Sequence, residues 1–358
     1  MPNQRRSPLA AAPTPTLQEF ELIARLCAKL PSGRRTILGA GDDCAIFAPG
    51  RARQVITVDS MVEGVHFESA WTTPELLGAR ALTVNLSDVA AMGASATVCV
   101  VNLAVRAGFD YRFFERLYTG LRRAALAAGV DVVGGNVTRG KELAITIALI
   151  GELGSGAMRR DQARAGDAIY VTGTIGDAAL GLRILNGSIK ARGPDRAYLI
   201  NRFLAPTARL AAGRKLARLR PLPAAIDVSD GLWQDLGHIR AASRVGVEVA
   251  ADAIPLSSAY RAVLGRHPAL ALTGGDDYEL LFCSRTSLSA ATLARRLGVP
   301  VTRIGQVTNR PGARLLVEGK PISPARLAAA LLVPSARRRT RLADGQLKGW
   351  DQLRNGAN

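Results

Sequence analysis

Glycine-hinged acidic turns stand far apart in this chain: Gly39-Ala40-Gly41-Asp42-Asp43 near its start and Asp227-Val228-Ser229-Asp230-Gly231 well into its second half. Between them, Thr57-Val58-Asp59 and Asn85-Leu86-Ser87-Asp88 each stand at the polar end of an apolar run. Clustered carboxylates repel one another unless a cation lies among them. A fold that uses these positions together must therefore bring the ends of several packed elements to one rim. Hard divalent cations such as Mg²⁺ take all-oxygen ligand sets and bridge carboxylates to phosphate. The pattern points to metal-dependent chemistry on a phosphorylated substrate.

The chain has 358 residues, 48% of them hydrophobic, enough for one large core or two medium ones, and two domains are expected. Cys27, Cys44, Cys99 and Cys283 are scattered without a CxxC pair, which argues against a disulfide framework and a zinc site. No apolar run approaches the roughly 18 residues of a membrane span, and the N-terminus lacks a signal-peptide core, so a cytoplasmic location is the default. Lys and Arg number 47 against 29 Asp and Glu, a net charge of +18 that raises the question of a polyanionic partner. The arginines are spread along helical stretches and aromatics make up only 5%, which supplies few stacking platforms for nucleic acid. Attraction of small phosphorylated molecules is the simpler account.

Residues 1–16, rich in Pro and Ala, read as a disordered leader. A first domain over 17–153 opens with a helix over 17–30, then a buried strand over 54–58 that ends at Asp59. Thr73-Pro74 with Glu75 starts a helix that runs past Asp88. Strands over 96–105 and 143–150 flank a helix over 113–128, and Gly134-Gly135-Asn136 interrupts the apolar run 130–133. A second domain over 154–334 carries a strand over 168–172, a helix over 178–185, and another helix opened by Pro206 and Thr207. A strand over 224–228, a helix over 231–245 and a strand over 278–283 follow. Residues 335–358 form a basic tail. Strand and helix interleaved in this way give an α/β (α+β) class.

Among the candidate ligands, Asp42 follows two glycines that permit a sharp turn, Asp59 is held at a strand end, and Asp88 sits among alanines that offer it no partner. Asp227 and Asp230 share one face of a turn, Ser229 is a phosphate donor, and helix onset at Gly231 adds exposed amides. His66, between Val65 and Phe67, fits either substrate contact or a structural hydrogen bond. Gly135, Asn136 and Arg160 are candidates for phosphate binding, with Arg139 competing. There is no Walker A loop and no Gly-x-Gly-x-x-Gly fingerprint, so any nucleotide site uses another framework.

Taken in order, Gly41-Asp42-Asp43-Cys44-Ala45, Asp59 with Val62-Glu63-Gly64-Val65-His66-Phe67, Asn85-Leu86-Ser87-Asp88, Val132-Val133-Gly134-Gly135-Asn136, Asp227-Val228-Ser229-Asp230-Gly231-Leu232 and Gly274-Gly275-Asp276-Asp277-Tyr278-Glu279-Leu280-Leu281-Phe282 resemble the thiamine-monophosphate kinase family. That family lies within the aminoimidazole ribonucleotide synthetase-like superfamily. The resemblance implies a two-domain fold with mixed sheets and a homodimer. It also implies transfer of the γ-phosphoryl group of ATP to thiamine monophosphate with several Mg²⁺ ions. By matching motif, it places metal contacts at Asp42, Thr57, Val58, Asp59, Asp88, Asn136, Asp227 and Asp230. ATP contacts fall at Gly135, Asn136, Arg160 and Ser229, and substrate contacts at His66, Asp276, Glu279 and Trp350. No general base is assigned, because the acceptor phosphate supplies the nucleophile. Asn136 stands where many relatives have Asp, Asp276 where Glu is usual, and Gly349-Trp350-Asp351 departs from the usual tail. The alternatives are another ATP-dependent enzyme of the superfamily or a basic nucleic-acid-binding protein.

Overall fold

The computed structural model describes residues 50–322, apart from 107 and 109, together with short pieces between 25 and 47. The leader, the turn with Asp42 and Cys44, and the tail with Trp350 lie outside the described residues, as does most of the helix expected over 17–30.

After a small hairpin of β1 (Thr36–Leu38) and β2 (Ile46–Phe47), the first unit is built on β3 (Gln54–Val62), α1 (Pro74–Ala91), β4 (Ala94–Val105), α2 (Tyr111–Ala128), β5 (Asp131–Arg139) and β6 (Ala144–Leu153). The strand order is β3-β6-β4-β5, with β4 and β5 parallel and the other pairs antiparallel. The side chain of Thr73 caps α1 by accepting from the Leu76 amide, and Pro74 occupies the first turn, where its missing N–H costs nothing. α1 and α2 bury Leu82, Leu86, Leu117 and Leu121 against Val101, Leu103, Ile145 and Ile147 on one face of the sheet. The other face is open, and Ile56 and Val58 on β3 are 75% and 62% exposed.

The second unit follows as β7 (Ala168–Thr172), α3 (Asp177–Leu185), α4 (Gly193–Leu204), α5 (Leu210–Leu216), β8 (Ala224–Asp227), α6 (Leu232–Ser243), β9 (Gly246–Ala250), α7 (Ser258–Leu264), α8 (Ala269–Thr273), β10 (Leu280–Ser284), α9 (Ala290–Leu297), β11 (Val301–Thr308), β12 (Ala313–Val317) and β13 (Lys320–Ile322). Seven strands form one mixed sheet in the order β13-β12-β9-β11-β7-β10-β8, with β12 parallel to β9. A shared core joins the units: Ala90 and Ala91 at the end of α1 pack with Ala212, Leu216, Met158 and Phe282. The acidic end of α1 is thereby fixed against the second sheet.

Several local expectations change. β3 is an edge strand that runs through Asp59 to Val62, so Asp59 projects from its middle toward α1. β5 continues through Gly134-Gly135-Asn136 as one strand. Gly135 permits this because a Cβ there would lie 1.9 Å from the Val101 carbonyl oxygen across the ladder. The helix after Pro206 begins only at Leu210, since the segment before it places Arg209 on a buried carboxylate.

Candidate active site

A cleft of about 500 Å³ opens between the two units, and Asp59, Asp88, Asp227 and Asp230 all line it, with Ser229, His66 and Asp276. The 85–88 stretch of α1 is its hub. Asn85 is fully buried and accepts from the Asp59 amide at 3.1 Å while donating to the Ala81 carbonyl at 3.0 Å. Ser87 donates to Asp227 Oδ2 at 2.7 Å. Asp88 accepts from the Thr57 hydroxyl. One helical turn thus anchors the Asp59 backbone and the Asp227 carboxylate at the end of β8 and presents its own Asp88 beside them.

From the second unit come two loops zipped by backbone hydrogen bonds. The Asp276 amide donates to the Ser229 carbonyl at 2.9 Å, Tyr278 to Val228 at 2.8 Å, and Val228 to Glu279 at 2.8 Å. Gly275 allows the approach, because a Cβ there would fall 2.0 Å from the Ser229 oxygen. Asp235, in the first turn of α6, accepts amides from Ser229, Asp230 and Gly231 at 3.1, 3.2 and 3.1 Å and braces the acidic turn from behind.

The carboxylates disfavour one another's charge. Burial, with the charges of Asp88 and Asp230, pushes the Asp59 carboxyl up to about 6. Burial, then Asp88 and Asp59, pushes Asp227 up to about 7 against the opposing Ser87 hydrogen bond. Asp88 and Asp230 are also raised by burial, with the Arg160 charge working against it in both. Asp235 rises to about 8, again chiefly through burial. Several partly desolvated carboxylates beside the Thr57 hydroxyl form an all-oxygen donor set with excess negative charge, which fits Mg²⁺. Asp230, Asp235 and His238 also bring one ligand atom each within 4.8 Å of one another at the edge of this cluster.

His66 lines the cleft and accepts from the Val62 amide at 3.1 Å through Nδ1, so the structural hydrogen bond is present and the ring proton belongs on Nε2. The Val58 side chain faces the open side of the sheet. Gly135 and Asn136 lie on β5, three strand spacings or about 14 Å from β3. Asn136 is exposed there and donates to Asn102 at 3.0 Å. Within one chain they do not join the cleft. Arg160 is exposed in a short 3-10 turn, Arg160–Gln162, near enough for Asp88 and Asp230 to feel its charge.

Glu279 does not line the cleft. It is fully buried and accepts from Thr172 at 2.7 Å, from Arg202 at 3.2 Å, and from Arg209 through both carboxylate oxygens. Its carboxylate is consumed by the scaffold, whereas the expectation made it a substrate contact. Sequence reasoning also missed Arg80, Trp71, Phe203 and Tyr278 in the cleft. The signal for Arg80 was its place two turns before Asp88, as the one charged residue of the otherwise apolar stretch 76–82.

Residues 41–153 match the family described as AIR synthase related protein, N-terminal domain, and residues 164–318 match the corresponding C-terminal domain. The thiamine-monophosphate kinase of Salmonella typhimurium is 39% identical over 316 residues, which cover 85% of this chain and 95% of the relative. The crystal structure of thiamine-monophosphate kinase from Stenotrophomonas maltophilia K279a matches with a TM-score of 0.72 at 37% identity, covering 84% of this chain and 95% of that one. A structure of AaThiL complexed with AMPPCP and TMP matches with a TM-score of 0.67 at 33% identity, covering 76% and 85%.

Proposed function

The chain belongs to the thiamine-monophosphate kinase family, built on the AIR synthase related domains, and from that premise we propose that it transfers the γ-phosphoryl group of ATP to thiamine monophosphate, giving thiamine diphosphate and ADP. The observation that carries this reading is the meeting of Asp59, Asp88, Asp227 and Asp230, drawn from both units, in one cleft that also holds His66 and Asp276.

Donor and acceptor are both anions, so their approach needs positive charge between them. Asp59, Asp88, Asp227 and Asp230 would hold Mg²⁺, which would supply that charge between the phosphates. The chain's own groups do the orienting. Asn85, Ser87 and Thr57 fix Asp59, Asp227 and Asp88, and Asp235 holds the backbone of the 229–231 turn. Arg160 adds a cation at the rim, which offsets phosphate charge. The acceptor phosphate is already an anionic nucleophile at neutral pH, so no residue need act as base and alignment carries the rate.

The open face of the first sheet supports a homodimer. Ile56, Val58 and Val100 are 75%, 62% and 40% exposed on it, and a second copy would cover them together with Asn136. Among the described residues no helix is long and apolar enough to cross a membrane, and a cytoplasmic setting, where ATP is supplied, fits the reaction. Incubation with ATP, Mg²⁺ and thiamine monophosphate, with products weighed by mass spectrometry, tests the assignment. Thiamine diphosphate with equimolar ADP supports it; turnover only with a different phosphate or carboxyl acceptor moves the chain to another branch of the superfamily.

A further inference from the structure

Arg80 is 3% exposed, yet it lines the cleft from α1. Its guanidinium lies 4.1 Å from the centroid of the Phe203 ring, its Nη1 donates to the His66 carbonyl at 3.4 Å, and its Nη2 stands 3.3 Å from Asp276 Oδ1. Its Nε is buried with no partner among the described residues. Burying an arginine is costly unless its hydrogen bonds and charge are fully met. Here they are met only in part, so packing alone does not account for the residue.

Its partner is equally unusual. Asp276 and Tyr278 both hold positive φ, 67° and 53°, a conformation that side-chain-bearing residues seldom adopt and that persists where the surroundings enforce it. The Tyr278 hydroxyl donates to the same Asp276 Oδ1 at 2.8 Å. Both contacts therefore fall on one oxygen, and Oδ2 is left unengaged among the described residues. Arg80 also lies two turns from Asp88, about 12 Å along the helix axis. The helix thus carries a phosphate-handling group at one station and the Asp276 clamp at another, a spacing that reaches past the thiazolium, joined to the phosphate by a two-carbon arm, toward the aminopyrimidine at the far end of the acceptor.

Resting on the kinase reading above, we propose that Arg80 is a positioning residue: with Tyr278 it holds Asp276 by one oxygen so that the other meets the heterocyclic end of the acceptor, which sets acceptor affinity. Arg80 acts through Asp276 and the 66-carbonyl loop, and does not touch the transferring phosphoryl group.

The test is steady-state kinetics of the full chain with wild type, Arg80→Lys, Arg80→Met, Asp276→Asn and the Arg80→Met/Asp276→Asn double variant, varying thiamine monophosphate and ATP separately. Arg80→Met should raise KM for the acceptor roughly tenfold while kcat and KM for ATP stay within about twofold. Arg80→Lys, which keeps the charge but loses the planar fork, should fall between. In the double variant the loss should be no larger than in Asp276→Asn alone, since residues that act as a unit are not additive. Multiplying losses would overturn the proposal by showing an independent role. Equal loss in kcat and both KM values would overturn it in favour of a structural role, and unchanged acceptor KM in Arg80→Lys and Arg80→Met would do so outright. If Arg80→Met fails to fold, Arg80→Lys alone and combined with Asp276→Asn gives the same discrimination. Absence of wild-type turnover on thiamine monophosphate would strike the kinase reading itself, before any variant is compared.

Discussion

Ser87 in α1 donates its hydroxyl to Oδ2 of Asp227 over 2.7 Å and so ties a helix of the first unit to a strand end of the second, with both residues buried. A hydrogen bond to a charged group is worth about 1.5–3 kcal/mol when its loss leaves the partner unsatisfied. Ser87→Ala should therefore lower the thermal midpoint and raise the Mg²⁺ concentration needed for half-maximal turnover. Thermal unfolding and a Mg²⁺ titration of activity check both; an unchanged Mg²⁺ requirement would show that this contact does not orient Asp227 for metal.

Removing a carboxylate from the cluster should separate stability from activity. Asp227 is raised by burial and by the neighbouring charges of Asp88 and Asp59, so Asp227→Asn relieves repulsion in the metal-free protein. The variant should match or exceed wild type in thermal midpoint under chelator, gain little from added Mg²⁺, and lose turnover on the order of a hundredfold. Parallel melting curves with and without Mg²⁺ decide this.

The same shifts set a pH signature. Asp59 and Asp227 titrate at about 6 and about 7 in the folded protein, against about 3.9 for an unfolded aspartate. Between those values the folded state holds more protons than the unfolded one, so metal-free stability contributed by these groups falls as pH rises from about 4 to about 7. Mg²⁺ must displace the same protons, so its affinity rises over that interval. Melting under chelator across this range should show the decline in wild type and a shallower one in Asp227→Asn. A steeper decline in the variant would contradict the assignment.

Glu279→Gln should act on the scaffold. Its carboxylate neutralises Arg202 and Arg209 in the interior, and breaking such a buried pair costs about 3–5 kcal/mol. The expected outcome is a markedly lower melting temperature, with KM for thiamine monophosphate near wild type in whatever fraction stays folded. A large rise in that KM with unchanged melting would restore Glu279 as a substrate contact.

The α/β class and most elements of the first unit were legible because apolar period and the Thr73-Pro74 helix start are local signals, whereas the mixed sheets followed from the family resemblance and the strand ends read at Asp59 and Gly134 lie inside longer strands. Asp59, Asp88, Asp227, Asp230, Ser229, His66 and Asp276 could be named from motif order, and the fold gathers them in one cleft. What stayed hidden was direction and partnership. Nothing local separates Asp276, whose backbone turns its side chain toward the cleft, from Glu279, buried on the scaffold three positions on. Likewise Asp235 reads as an ordinary first-turn acid until the 229–231 amides converge on it. Gly135 and Asn136 resemble a phosphate turn in sequence, but the Val101 ladder extends them into a strand.

On the proposed reading, aspartates from both units hold cations that bring two anionic reactants together. The most direct measurement is a crystal structure with Mn²⁺, a non-hydrolysable ATP analogue and thiamine monophosphate, read through the anomalous signal of the metal. Metal peaks coordinated by Asp59, Asp88, Asp227 and Asp230 are expected, with phosphate oxygens of both ligands on the same ions. Ligands bound in the cleft with no metal on these carboxylates, or metal bound there with both ligands elsewhere, would contradict it.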